Sequence, residues 1–102
     1  MHRAILNSIS EKQFQAQILE LARLTGWLTF HDFDSRKNSP GFLDTVLARQ
    51  GRIIFAELKS ERGKLRPQQK IWYELLKTCP GVEVYLWRPS QWNEIVATLR
   101  RT

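Results

Sequence analysis

Two acidic residues and one lysine are spaced along this sequence in a way that could build a metal site. Asp44 and Glu57 stand thirteen positions apart, and Lys59 follows two positions after Glu57. Gln50-Gly51 lies midway between the acids and is typical of a two-residue hairpin turn. If the residues on either side of that pair close the turn, Asp44 and Glu57 face each other directly across two strands.

Such a pairing predicts a cation. Like charges that face each other in a sheet are unfavourable unless a positive charge lies between them. Lys59 projects from the same face as Glu57, because side chains alternate along a strand. Glu57 also interrupts an apolar run over residues 53–58, where an uncompensated charge is costly. The alternative is a solvated face on which Lys59 neutralises one of two ordinary acids.

The surrounding pattern predicts an α/β protein in which a mixed four-stranded sheet is flanked by helices. We expect one domain over residues 1–102, with residues 1–9 as a loosely packed leader. The predicted order is α-β-β-β-α-β-α, with helices over 11–25, 67–78 and 92–101 and strands over 27–33, 43–49, 52–59 and 82–87. The last two strands are joined through a helix, so they should be parallel. In the second helix, Ile71, Leu75 and Leu76 form the predicted buried stripe.

Composition restricts the class of protein further. The chain has 102 residues, 16 Lys and Arg against 10 Asp and Glu, and a net charge of +6. An excess of positive charge favours a polyanionic partner, most commonly nucleic acid. Cys79 is the single cysteine, which excludes an intramolecular disulfide and a cysteine zinc site. Neither a signal peptide nor a membrane span is recognisable, so a soluble, cytoplasmic protein is expected.

Several basic residues near the predicted site could contact phosphates. They lie in two loops and at the start of the helix that follows the second loop: Arg36, Lys37, Arg62, Lys64, Arg66 and Lys70. The loop that carries Arg36 could equally be a solvated turn. His31 could be a ligand or a proton carrier, although a lone histidine in an aromatic strand is more often packed and hydrogen-bonded.

These motifs resemble a known family. Asp44 with Glu57-Leu58-Lys59 is similar to the D…ExK core of the PD-(D/E)xK nuclease superfamily, a short pattern that is weak by itself. The flanking segments resemble the VRR-NUC family (virus-type replication-repair nucleases), in particular its small stand-alone phage and prophage members. The segments that carry this resemblance are Glu11 with Phe14-Gln15, His31, Asp34-Ser35-Arg36, Gly41-Phe42-Leu43-Asp44, Ser60-Glu61, Gly63-Lys64-Leu65, Pro67-Gln68-Gln69 and Trp87-Arg88-Pro89. Leu43 departs from the family, which usually has proline before the aspartate.

The resemblance implies a restriction-endonuclease-like core that uses Mg²⁺ or Mn²⁺. Asp44, Glu57 and the backbone carbonyl of Leu58 would bind the metal directly, and Glu11 would reach it through water. In the same comparison Lys59 orients or deprotonates the attacking water. Gln69 supports the metal or the phosphate.

The resemblance also implies a substrate. Small relatives are similar to Holliday-junction resolvases, which act in DNA repair as two-fold symmetric dimers. A homodimeric endonuclease for branched DNA is therefore expected. A non-catalytic DNA-binding module on a nuclease fold, or a nuclease for flaps, ends or plain duplex, remains an alternative, and no sequence feature supports a helicase or replication protein as partner.

Overall fold

The computed structural model describes residues 3–32 and 41–102 of the chain. Residues 33–40 lie outside the described residues, and with them the end of the first predicted strand and the two candidate phosphate contacts Arg36 and Lys37.

A mixed four-stranded sheet forms the centre of the molecule, as predicted. The strands lie in the order β1-β2-β3-β4, with bounds Leu28–His31, Thr45–Arg49, Arg52–Leu58 and Glu83–Trp87. Strands β1, β2 and β3 are antiparallel neighbours, and β4 is parallel to β3. The connection from β3 to β4 runs through a helix, which is the usual way to join parallel strands.

The described ranges also contain four helices: α1 (Arg3–Ser8), α2 (Glu11–Leu24), α3 (Pro67–Lys77) and α4 (Trp92–Arg100). A 3₁₀ turn over Pro89–Gln91 precedes α4. The order matches the predicted one except for this turn and for α1. The sequence had indicated only a loose leader at 1–9, whereas the structure has a short, largely exposed helix there.

Helix α2 begins where its sequence predicts. The hydroxyl of Ser10 accepts a hydrogen bond from the Gln13 amide at 3.0 Å, and the Gln13 side chain accepts one from the Ser10 amide at 2.8 Å. This capping box satisfies two amides that the first turn leaves without helical partners. The start of α2 is thereby fixed, and with it the position of Glu11 in the first turn.

The turn between β2 and β3 fixes the register of the hairpin. Gln50 and Gly51 both have positive φ angles, 32° and 81°, as a two-residue turn of matching twist requires. Arg49 pairs with Arg52, and Thr45 pairs with Ala56. The predicted register is therefore confirmed over β2 and β3. Strand β2 begins at Thr45 and not at the predicted residue 43, so Asp44 and Glu57 lie one position beyond the last pair of the ladder.

The main hydrophobic cluster of the described residues lies on one face of the sheet. Side chains of β2, β3 and β4 that point to this face pack in one cluster with residues of α2 and α4 and with the residue Trp27. The cluster consists of Phe14, Ile18, Ala22, Trp27, Leu47, Ile54, Ala56, Leu58, Trp87, Ile95 and Leu99. Glu57 lies between two core residues of β3, so its side chain points to the opposite face. The core therefore supports the strand that carries the candidate site without surrounding the site.

The prediction of a buried Ile71–Leu75–Leu76 stripe on α3 is wrong for two of its three members. Ile71 is 67% exposed and Leu75 is 59% exposed, whereas Leu76 is half-buried. Gln69 is the buried residue of this helix. Because an α-helix turns by about 100° per residue, burying Gln69 places residues two and six positions later on the outer side. Polar contact with the site thus decides which side of α3 faces inward.

Candidate active site

Four polar side chains are buried together where the hairpin ends. Asp44 directly precedes β2, Glu57 lies near the end of β3, and Lys59 directly follows β3. Gln69 reaches them from the first turn of α3. Their exposed fractions are 8% for Asp44, 1% for Glu57, 7% for Lys59 and 3% for Gln69. Buried charges are retained only where other groups compensate them, so this grouping calls for partners.

Glu57 is the centre of the group. Its Oε1 accepts a hydrogen bond from Gln69 Nε2 at 3.1 Å and lies 3.8 Å from Lys59 Nζ. Its Oε2 is buried and finds no hydrogen-bond partner among the described residues. A buried carboxylate oxygen without a partner costs free energy, and it is available to bind a further group.

Gln69 is held in place from both ends of its amide. While Nε2 donates to Glu57, Oε1 accepts from the backbone amide of Arg66 at 2.8 Å. The second contact also caps the start of α3.

Gly41, with a φ of 89°, packs so closely against Gln68 that a Cβ there would lie 2.6 Å from the Gln68 Cβ. This close approach locks the start of α3 against the segment that leads into Asp44.

Glu11 reaches the group from α2. Its Oε1 lies 4.0 Å from Lys59 Nζ, and its Oε2 accepts a hydrogen bond from Gln15 Nε2 at 3.3 Å. Lys59 therefore lies between two carboxylates, those of Glu57 and Glu11. The side chain of Glu11 is 43% exposed, so solvent reaches the group from this side.

Both central carboxyl groups are strongly perturbed. Burial, together with the nearby Asp44 carboxylate, raises the pKa of Glu57 to about 8 against the opposing attraction of Lys59. Burial likewise raises the pKa of Asp44, to about 6, and outweighs the hydrogen bond from Thr45, which acts in the opposite direction. Two acids that share a buried site cannot both ionise easily, and a cation between them would remove this obstacle.

A second set of contacts lies behind Asp44. The Thr45 hydroxyl donates to Asp44 Oδ1 at 3.0 Å, and His31 Nδ1 lies 2.9 Å from the same hydroxyl oxygen. The backbone carbonyl of Asp44 accepts from the Asp32 amide at 2.8 Å. Burial lowers the pKa of His31, which favours a neutral imidazole.

The basic residues predicted to contact phosphate lie at the rim of this group where they are described. They follow Lys59 in sequence, and all are exposed: Arg62, Lys64, Arg66 and Lys70. Arg88 organises their loop, because its Nη1 donates to the carbonyls of Ser60 at 2.9 Å and Gly63 at 2.5 Å. Glu61 in the same loop accepts from the Ser90 amide at 2.9 Å.

Sequence reasoning missed the positions of Thr45 and Arg88. Arg88 belongs to the Trp87-Arg88-Pro89 segment on which the family resemblance rests, so that segment contained the signal. Thr45 follows Asp44 directly, but nothing in the sequence shows that its hydroxyl turns back toward its neighbour. Leu43, which replaces the family's usual proline, is fully buried next to Asp44.

The chemistry of the donors suits a hard cation. Asp44 and Glu57 offer carboxylate oxygens, the type of ligand that Mg²⁺ prefers, and the unpartnered Glu57 Oε2 is one free ligand. Leu58 lies between Glu57 and Lys59 with its side chain in the core. Within the described ranges, no group of three or more His, Cys, Asp or Glu side chains is placed to hold a metal by itself. A cation here would therefore need backbone or water oxygens as well.

A mixed sheet with an acid pair and a lysine at the end of its central hairpin defines a protein of the restriction-endonuclease-like class. The model of the VRR-NUC domain matches residues 3–91, and the chain belongs to the VRR-NUC family. It is accordingly a nuclease, a hydrolase whose substrate is DNA. Nuclease domains of this superfamily generally use divalent metals. Searches of curated proteins and of solved structures gave no match.

No helix in the described part of the chain is both long and apolar enough to cross a membrane.

Proposed function

We propose that this protein is a Mg²⁺- or Mn²⁺-dependent endonuclease that cuts branched DNA, such as Holliday junctions, as a homodimer. The observation that carries the proposal is the buried group of Asp44, Glu57 and Lys59 with its unpartnered Glu57 oxygen. In most structural ion pairs both carboxylate oxygens have hydrogen-bond partners. A cation site explains the missing partner and the two acids together.

In this proposal Asp44, Glu57 and the Leu58 carbonyl hold the cation, and Glu11 contributes through water. When bound, a divalent cation polarises the scissile phosphate and lowers the pKa of a water molecule, so that hydroxide is available near neutral pH. The partly exposed Glu11 lies on the side where solvent reaches the group. That location suits a contact through water better than a direct bond.

Lys59 supplies the fixed positive charge of the site. Its Nζ is held between Glu57 at 3.8 Å and Glu11 at 4.0 Å. An ammonium fixed in a water-poor site stabilises the negative charge that develops on the phosphate and on the attacking oxygen. Gln69 holds Glu57 Oε1 in place from the other side, and this contact leaves Oε2 available for the cation.

The exposed basic rim supports DNA as a phosphate-rich substrate. Arg62, Lys64 and Arg66 project from a loop that begins directly after Lys59, so a bound backbone passes close to the site. Contacts to phosphates give affinity without sequence preference, which suits selection by DNA shape. Replacement of Arg62 by alanine should weaken binding to all sequences alike and lower the salt dependence by about one unit of slope.

A substrate panel tests the activity. We expect cutting of a synthetic four-way junction with Mg²⁺ or Mn²⁺, none with EDTA, and weaker cutting of a flap or plain duplex. Glu57→Ala should abolish cutting, and Lys59→Ala should reduce it by about 100-fold, the typical effect of losing one charge-stabilising group. Glu74→Ala, which changes an exposed acid on α3, is the matched control. Tight, salt-sensitive binding without metal-dependent cleavage would instead identify a non-catalytic DNA-binding module.

The proposed dimer rests on an apolar surface opposite the core. Leu28 and Phe30 alternate along β1 and are exposed. Phe30 pairs with Val46, and Val46 pairs with Phe55 on the same face of the sheet. The surface continues from Phe55 through Phe42 to α3.

On α3 the surface ends at three exposed side chains, Ile71, Trp72 and Leu75. We call the whole surface, from Leu28 and Phe30 to these three residues, the outer apolar face. Large apolar patches on a soluble domain are typical of interfaces. A second copy is the occupant that fits one site per chain and paired cuts, and two-fold dimers are the commonest assemblies.

Sedimentation tests the dimer separately from the chemistry. Phe30→Asp should convert a dimer into a monomer, because it buries a charge in the interface. Leu24→Asp changes an exposed leucine on α2, away from the outer apolar face, and should leave the dimer intact. A wild-type protein that sediments as a monomer, or equal sedimentation of both variants, would refute this assembly.

A further inference from the structure

Thr45 is a fully buried polar residue that has no role in the reaction proposed above. Its exposed fraction is 0%, and it lies at the start of β2 next to Asp44. A buried hydroxyl is tolerated when it is hydrogen-bonded. The Thr45 hydroxyl has two such contacts, one to Asp44 Oδ1 at 3.0 Å and one to His31 Nδ1 at 2.9 Å. Asp44 is a proposed metal ligand.

The hydroxyl has a single hydrogen, and this determines the direction of the contacts. Since Thr45 donates its hydrogen to Asp44 Oδ1, its oxygen can only accept from His31. His31 must then carry its hydrogen on Nδ1, which is one of the two neutral forms of imidazole. The contacts form a directed line from His31 through Thr45 to Asp44.

The main chain of Asp44 is fixed as well. Its carbonyl accepts from the Asp32 amide at 2.8 Å, one residue beyond the last pair of the β1–β2 ladder. With the backbone held by this bond and Oδ1 held by Thr45, the carboxylate has little rotational freedom. A cation at this site would then be met by a carboxylate whose orientation is fixed in advance.

We propose that Thr45 is a positioning residue for Asp44, that His31 sets the direction of its hydroxyl, and that this pair determines how tightly the site binds a divalent cation. The inference rests on the proposed metal site and adds two residues to it. It gives His31 a role that acts through Thr45, in place of the ligand or proton-carrier role that the sequence left open. Groups that orient a metal-binding side chain typically change metal affinity by 10- to 100-fold when removed.

Calorimetric titration with Mn²⁺ alone, without DNA, tests the inference on the full chain. Thr45→Val keeps the shape of the side chain and removes the hydroxyl, so Mn²⁺ should bind about 10- to 100-fold more weakly. Thr45→Ser restores the hydroxyl and should restore the affinity. Thr29→Val makes the same chemical change on β1, away from Asp44, and should bind Mn²⁺ like the wild type.

A second pair of variants covers the case in which Thr45→Val does not fold, as judged by circular dichroism. His31→Asn retains an N–H donor near the position of Nδ1, whereas His31→Leu removes it. Weaker Mn²⁺ binding by the leucine variant with recovery in the asparagine variant supports the inference. Equal binding by these two, or by Thr45→Val and the wild type, overturns it while the proposed metal site stands. A wild-type protein that does not bind Mn²⁺ overturns both.

Discussion

Replacing Glu57 by glutamine should make the metal-free protein more stable, although Glu57 is the most buried of the acids in the candidate site. Glutamine has the same shape and no charge. In the wild type, burial and the neighbouring Asp44 raise the pKa of Glu57 from 4.5 to about 8. The buried acid thus lowers the stability of the metal-free protein, as is common where a site is built to bind a ligand.

The direction in which the free energy of unfolding changes with pH follows from the number of protons that each state binds. An unfolded chain releases the Glu57 proton near pH 4.5, whereas the folded, metal-free protein keeps it up to about pH 8. Between these values the folded state binds more protons, so the free energy of unfolding falls as the pH rises. Asp44, with its pKa raised to about 6, adds a loss of the same sign at the lower end of this range.

The magnitude is bounded by the size of the shift. Each pH unit within the range costs at most about 1.4 kcal/mol per group. At pH 7 the Glu57 contribution is therefore at most about 3.5 kcal/mol, and coupling to Asp44 and Lys59 reduces it. We expect Glu57→Gln to raise the free energy of unfolding by about 1 to 3 kcal/mol at pH 7 and to leave it nearly unchanged at pH 4.5.

Urea unfolding in EDTA, followed by the fluorescence of the buried Trp27 and Trp87, measures this effect between pH 4.5 and pH 8. Glu74→Gln alters an exposed acid on α3 and should follow the wild-type curve. A Glu57→Gln variant that is less stable than the wild type at pH 7, or that keeps the wild-type slope with pH, refutes the reasoning. Addition of Mn²⁺ should stabilise the wild type by mass action and leave Glu57→Gln unaffected.

Two further predictions concern residues outside the acid pair. Arg52 Nε and Nη2 each donate to Glu83 at 2.7 Å and lower its pKa. Glu83→Gln should therefore lower the free energy of unfolding by about 1 to 2 kcal/mol at pH 7. Because a lowered pKa gives stability that is lost as the pH falls through it, urea unfolding should show no difference between the variant and the wild type at low pH. Gly41→Ala should reduce both the unfolding midpoint and DNA cleavage, because a Cβ there meets Gln68 at 2.6 Å in addition to the strain of a positive φ. Gly51→Ala, with a φ of 81° and no atom within 4 Å, should cost only about 1 kcal/mol and no activity.

Features of the fold that depend on local chemistry could be predicted from the sequence. The hairpin register follows from a two-residue turn and from the alternation of side chains, so the sequence alone places Asp44 and Glu57 at the same end of the hairpin. The start of α2 follows from a capping box that involves only Ser10 and Gln13. Both features join residues close in sequence, where few alternatives compete.

Features that depend on contacts distant in sequence could not be predicted in the same way. Thr45 acts on Asp44 through a hydroxyl whose direction depends on His31, fourteen positions earlier. Arg88 holds a loop that begins twenty-eight positions before it. Neither residue type has a spacing rule that would reveal such a contact, so the sequence indicated at most that these residues were of interest.

The wrong prediction for α3 has a different cause, and it is informative about function. In a monomeric domain, the apolar side of α3 that contains Ile71 and Leu75 would be expected to face the core. Instead Gln69 faces inward and the apolar side faces solvent. Such an inversion violates the rule that apolar residues face the core and polar residues face solvent. Departures of this kind are expected where function overrides folding. Here the buried amide serves the proposed active site, while the exposed apolar side chains extend the outer apolar face. One helix would thus link the chemistry of each chain to the contact between two copies.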